Sequence, residues 1–186
     1  MGEIVPVEKE FRRRIGALLP RLSRFGLGLT SSRAEADDLV QGACERALNR
    51  MDQWNPETRL DSWMFRIMQS IWFNELRSRK VRERHALAEI AEEDVADDGE
   101  AAAEMRVLLS RVEQEIFKLS EEERIVLMLV CVEGMTYMEA AEAASIPVGT
   151  VMSRLARARL LLMQRLGDCD VSYRDNVTSL VSKWHK

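Results

Sequence analysis

Apolar residues recur at helical spacing along most of this chain, and no stretch shows a convincing strand-like alternation. Ser32-Arg33-Ala34-Glu35 has the form of a capping box, in which a hydroxyl and a carboxylate satisfy two orphan backbone donors at a helix start. It opens a helix with Ala36, Leu39, Val40, Ala43, Ala47 and Leu48 on one side. Met51 to Asp61 breaks the period, with Asn55-Pro56 marking a loop. Ser62 to Lys80 predicts a further helix whose inward face takes Trp63, Ile67 and Ile71 and continues to Asn74 or Glu75. Leu108, Val112, Ile116 and Leu119 predict the next helix. Ser120 and Glu123 cap another, with Ile125, Val126, Leu129 and Val130 inward, and Thr136 and Glu139 repeat the capping pattern. Ser145-Ile146-Pro147 interrupts the chain, and proline suits the first turn of a new helix because its missing donor would be an orphan there. From Val148 the stripe Val151, Leu155, Ala158 and Leu162 completes a predicted helix-turn-helix.

These elements predict an all-α protein of two small helical domains, residues 7–84 and 105–168, with a short tail at 169–186 to which the pattern assigns no role. Between them, residues 85–104 are rich in Ala, Glu and Asp. No Lys or Arg occurs between Arg84 and Arg106 to offset Glu89, Glu92, Glu93, Asp94, Asp97, Asp98, Glu100 and Glu104. With few large apolar side chains, that stretch reads as a flexible acidic linker. Each domain has room for only a small core, so partner binding is expected to add stability.

Composition narrows the function. The 186 residues are 46% hydrophobic, an ordinary globular content, and no apolar run is long enough to span a bilayer. The start, Met1 to Arg14, lacks a signal-peptide apolar region, so no membrane insertion and a cytoplasmic location are expected. Cys44, Cys131 and Cys169 are too scattered for a disulfide framework. His85 and His185 have no Cys or His at ligand spacing, so neither a metal nor another cofactor is expected. No phosphate-binding loop, nucleophile elbow or zinc-protease motif is present, and the chain reads as a non-enzyme.

A net charge of −4 argues against a simple nucleic-acid binder. The charge is segregated, however. No acidic residue lies between Glu142 and Asp168, while Arg154, Arg157, Arg159 and Arg165 do. A helix with a buried stripe and a cationic outer face can enter a DNA major groove, although the same pattern also suits a solvated surface. Trp54, Trp63, Phe65, Trp72 and Phe73 lie among Arg59, Arg66, Arg77, Arg79 and Lys80, the mixture that single-stranded DNA binding uses. Trp63 sits at core spacing; Trp54, beside the loop, is the better platform for bases.

Three segments together resemble bacterial RNA polymerase sigma factors of the extracytoplasmic-function (ECF) group, over about Phe11 to Leu166. Ala36-Asp37-Asp38-Leu39-Val40-Gln41 through Leu48 resembles the segment that docks on the clamp helices of the largest polymerase subunit. Leu60-Asp61-Ser62-Trp63 through Arg79 resembles the −10 recognition region. Gly134-Met135-Thr136-Tyr137 through Arg159 resembles the −35 reading domain. The resemblance implies that Asp38, Leu39, Gln41 and Glu45 contact core polymerase. It implies that Trp54, Asn55, Arg59, Ser70, Asn74, Arg77 and Lys80 serve the −10 element, and that Thr150, Met152, Ser153, Arg154, Ala156 and Arg157 read the −35 element. The implied partners are core RNA polymerase, promoter DNA and an anti-sigma factor, with the linker threading the polymerase cleft. The chain departs from the family pattern at Ser145 (often Gly), Met152 (commonly basic), Ser70 (frequently Asn) and Gly42 (usually Glu). The alternative is a stand-alone helix-turn-helix regulator that binds an operator as a dimer.

Overall fold

The computed structural model describes residues 6–83 and 100–166, and within them every regular element is helical. The first half holds α1 (Pro6–Thr30), α2 (Arg33–Asn49), a 3₁₀ turn (Met51–Gln53) and α3 (Leu60–Glu83). The second holds α4 (Glu100–Phe117), α5 (Glu121–Leu127) with a π-helical continuation (Met128–Val132), α6 (Tyr137–Ala144) and α7 (Val148–Leu166). α4 begins inside the stretch read as acidic linker; the remainder of that stretch, the two histidines, Cys169 and the tail lie outside the described residues.

The first half packs three helices around Phe11, Leu22, Phe25 and Leu29 of α1, Leu39 and Ala43 of α2, and Met64, Phe65, Met68 and Trp72 of α3. Phe25 and Phe65 meet with ring centroids 4.8 Å apart. α3 turns differently from its sequence pattern. Its fully buried residues include Met64, Phe65 and Met68, whereas Trp63 and Ile71 are half-buried and Asn74 is exposed. The cause is that α3 is covered on two sides, by α1 and α2 and also by α6. A helix clasped in this way needs a broad apolar face, which a single stripe does not describe.

In the second half the predicted caps form. The Ser120 and Thr136 hydroxyls accept from the backbone N–H of Glu123 and Glu139, and both carboxylates reach back to the cap residue. Ser145 ends α6 in the left-handed conformation, φ 54° and ψ 43°, and the Ile146 N–H bonds back to the Ala141 carbonyl at 3.0 Å. This is the position where the family pattern has glycine, and glycine adopts that conformation without steric cost. Ser32 is only half a capping box. Its hydroxyl accepts from the Glu35 N–H at 3.4 Å, but the Glu35 carboxylate turns away to Arg79 of α3 at 2.9 Å. Val130, predicted inward, is half-buried.

The two helical units are packed on one another, and their buried residues form one contiguous cluster. α3 lies against α6, and α1 against α5 and its π-helical continuation. Gly28 of α1 permits a close approach, since a Cβ built there would overlap the thioether of Met128. Arg66 and Gln69 of α3 donate to the Glu142 and Ala143 carbonyls at 2.6 and 3.2 Å, so the first half satisfies the C-terminal end of α6.

These two glycines separate a propensity effect from a packing effect. At Gly42, inside α2, an added Cβ meets only Ile71 Cδ1 at 3.7 Å, an ordinary contact. Gly42→Ala should therefore raise stability by about 0.5–1 kcal/mol in denaturant unfolding. Gly28→Ala should gain less than Gly42→Ala in the same measurement, because the end of the Met128 side chain must move aside to admit the methyl group.

Candidate nucleic-acid and polymerase interfaces

α7 is held by its inner stripe: Val151, Leu155 and Ala158 are buried against α5 and α6. Its outer row, Met152, Ser153, Ala156 and Arg157, is exposed, while Thr150 and Arg154 are half-buried. The Ser153 hydroxyl donates back to the Thr150 carbonyl at 3.1 Å. The Arg157 side chain is 68% exposed and only 3.7 Å from Glu123 Oε1, so it remains available to a partner. Arg159, one of the four arginines of the predicted cationic outer face, is instead a packing residue. It is half-buried, its Nη2 lies 3.9 Å from Cys131 Sγ, and its Nε is buried without a partner.

The residues implied for the −10 element divide. Trp54 is not a free platform: its ring packs on Phe11 at a tilt of 43° with centroids 5.4 Å apart, and the Arg14 guanidinium lies over it at 4.7 Å. Trp63 packs on the same phenylalanine at 6.2 Å. Trp72 is buried and its indole N–H donates to Glu121 at 2.9 Å, and Phe65 is core. Most of the aromatics that suggested base stacking are thus committed to packing. Asn55 shapes the exposed loop, accepting from the Glu57 N–H at 3.0 Å and the Thr58 hydroxyl at 2.7 Å. Arg59 and Asn74 are exposed. Ser70, Arg77 and Lys80 share one groove of about 510 Å³ along the distal half of α3, whose other wall carries Glu121 and Glu122 of α5. Arg46 of α2 lies 3.5 Å from Ser70 Oγ.

On α2, Asp38, Gln41 and Glu45 form an exposed row, with Gln41 donating to Glu45 at 3.0 Å. Leu39 does not join it: it is 5% exposed and faces the core. Its edge lines a groove of about 280 Å³ between α2 and α3, together with Asp38, Ile71, Trp72 and Arg79.

The family model for Sigma-70, region 4, matches residues 101–162, and that for the Sigma2 domain of PhyR matches residues 15–69. The chain is 31% identical over 159 residues to the ECF RNA polymerase sigma factor EcfG of Rhodopseudomonas palustris, covering 83% of this chain and 84% of that one. It is 29% identical over 144 residues to SigW of Bacillus subtilis, covering 72% and 76%. Among solved structures it is similar to the sigma factor RpoE of Bartonella quintana in complex with the anti-sigma factor NepR. There the TM-score is 0.73 at 25% identity, over 87% of this chain and 99% of the other.

The chain is an ECF RNA polymerase sigma factor. No helix among its described residues is long and apolar enough to cross a membrane, and no group of potential metal ligands occurs among them.

One feature of this sigma factor has no motif behind it. Arg21 donates to Asp61 Oδ2 at 2.7 Å and to Glu133 Oε2 at 2.8 Å, and Arg59 donates to both Asp61 oxygens at 3.0 and 2.7 Å. Arg24 adds a contact to Glu133 at 3.4 Å, and Arg59 pairs with Glu139. Asp61 also accepts from the Ser62 N–H at 2.8 Å at the start of α3. Burial alone would raise the Asp61 pKa, but the hydrogen bonds from Arg59 and Arg21 outweigh it and hold the carboxyl at about 2, from an ordinary 3.8. A pKa lowered in the folded state contributes stability above the unfolded value and loses it as pH falls through the folded one. Stability should therefore be constant above about pH 4 on this account and fall towards pH 2 by about 2 kcal/mol. Asp61→Asn should remove that part of the acid dependence in urea titrations run across this range.

Proposed function

We propose that this sigma factor binds core RNA polymerase through the exposed row on α2 and directs it to promoters with its two halves serving different DNA elements. Asp38, Gln41 and Glu45 present carboxylates and an amide to the polymerase clamp helices, with Leu39 supporting the row from below. Asn55, Arg59, Ser70, Asn74, Arg77 and Lys80 serve the opened −10 element, and Trp54 acts by fixing the loop on Phe11. Met152, Ser153, Ala156 and Arg157, with Thr150 and Arg154 at the margin, enter the major groove of the −35 element. The single observation that supports this division is the exposed row of α7 that carries Arg157, opposite the buried Val151, Leu155 and Ala158, in a chain whose relatives match across both halves. That breadth also disfavours a stand-alone operator-binding dimer. The protein carries out no chemistry of its own in this reading, takes no cofactor, and works in the cytoplasm with the polymerase. An anti-sigma factor controls it, as the Bartonella relative solved with NepR suggests.

Two measurements test the reading. Asp38→Arg should abolish copurification with core polymerase while leaving the helical circular dichroism intact, since loss of a central polar contact typically costs about 2 kcal/mol or more. Retained core affinity would sink the docking assignment. Arg157→Ala should cost roughly 1–3 kcal/mol of holoenzyme affinity for promoter DNA and relax the preference at one −35 base pair, because arginine reads guanine O6 and N7 bidentately. Unchanged affinity and preference across single-base promoter variants would show that α7 does not read DNA in this way.

A further inference from the structure

α7 carries a second apolar row that its own packing does not use. Met152, Ala156, Leu160 and Met163 follow one another at intervals of 4, 4 and 3 residues, the repeat that keeps side chains on one helix face. All of them are exposed, Met152 at 52%, Leu160 at 56% and Met163 at 62%, and no element among the described residues covers them. A single exposed Leu or Met needs no explanation, but a continuous row of them marks a binding face. Met152 and Ala156 are proposed to enter DNA. Leu160 and Met163, at the other end of the helix, have no such role.

The chain itself supplies a matching row. Residues 167–186 follow directly on α7, and in them Tyr173, Val177, Val181 and Trp184 recur at the same intervals of 4, 4 and 3. Gly167 stands immediately after Leu166, the last residue of α7, where glycine commonly ends a helix. Asp170 suits the N-cap of a helix that follows it, and Gly167 to Asp170 is a connection of the short length that joins two antiparallel helices. As a helix, residues 171–186 would extend about 24 Å, enough to run back along a row that spans about 16 Å of α7. A segment this short, rich in Val, Ser and Thr, has little helical tendency alone, so its helix depends on packing.

Charge selects this segment over a second copy of the chain. α7 has no acidic residue and carries Arg154, Arg157, Arg159 and Arg165, so two α7 helices laid together would set like charges side by side. The tail instead begins with Asp168, Asp170 and Asp175, and a return along α7 keeps these beside the end that bears Arg165.

We propose that residues 171–186 fold back on α7 as an antiparallel helix, seating Tyr173, Val177, Val181 and Trp184 against Met163, Leu160, Ala156 and Met152. The docking does not depend on the sigma-factor reading. On that reading, the far end of the tail and the −35 duplex share the surface of Met152 and Ala156.

Backbone hydrogen exchange on the full chain tests the docking. Amides over 177–184 should exchange roughly tenfold or more slowly than in a free peptide of the same sequence. Leu160→Gln with Met163→Gln should abolish that protection and leave the exchange of α7 unchanged, since glutamine is a good helix former. Leu109→Gln, at an exposed leucine of α4, should leave the tail protected. Absence of protection overturns the proposal, and so does protection that survives the α7 substitutions. Direction is read by mild oxidation of a chain with Cys44, Cys131 and Cys169 replaced by Ser. Met152→Cys should form an intramolecular disulfide with Trp184→Cys and not with Tyr173→Cys. The reverse preference, or disulfide-linked dimers in place of the internal bond, overturns the antiparallel return. A −35 duplex bound to the unmodified chain should lower protection over 181–184. Duplex binding with that protection unchanged overturns the pairing of Trp184 with Met152.

Discussion

Arg21 is the residue on which both the first half and its junction with the second depend. Its guanidinium, 27% exposed, joins Asp61 at the start of α3 to Glu133 at the end of the π-helical segment, so one cation serves a local and a long-range partner. Removing water from such charges is costly, and what offsets that cost is the completeness of their pairing. Asp61 is bonded by two guanidiniums and a backbone N–H, which orders the chain as it leaves the Asn55 loop and enters α3. The position of α3 in turn sets the exposed distal row and the two carbonyls of α6 that it caps.

The aromatic side chains follow from this arrangement. A cluster of tryptophans beside arginines suggests stacking on bases, yet Trp54, Trp63 and Trp72 are engaged by Phe11, by the helix core and by Glu121. They hold the loop and α3 in place, and leave polar and cationic groups such as Arg59, Ser70, Arg77 and Lys80 exposed. The same division appears on α7, where the buried stripe sets the rotation of the helix and so decides that Arg157 faces out while Arg159 packs against Cys131. Two arginines two positions apart differ in role because a helix turns them to different sides.

Docking of the halves brings the proposed −10 surface into contact with acidic groups of the second half. The acidic start of α5, Glu121 and Glu122, forms one wall of the groove that Ser70, Arg77 and Lys80 line, and Glu133 and Glu139 cover the proximal arginines. A chain with more acid than base overall can therefore keep its cationic surfaces matched within itself, and its net charge of −4 says little about what those surfaces bind once parted.

The sequence by itself determined an all-helical chain with the helices from α2 onward, the capping boxes at Ser120 and Thr136, the turn at Ser145, the inner stripe of α7 and the resemblance to the ECF group. These features are local, since caps act over three residues and stripes repeat every three or four. Where a local pattern had two physical outcomes, only the tertiary structure chose between them. Glu35 had the spacing of a capping box but found Arg79, Leu39 had the place of a polymerase contact but faces the core, and Trp54 had the exposure of a loop residue but met Phe11. The seating of one half on the other was illegible for the same reason. Arg21 and Glu133 stand 112 residues apart, with no motif to join them. Their meeting depends on how broad apolar faces of α1, α3, α5 and α6 pack, and packing is a property of shapes brought together, which spacing along a chain does not encode.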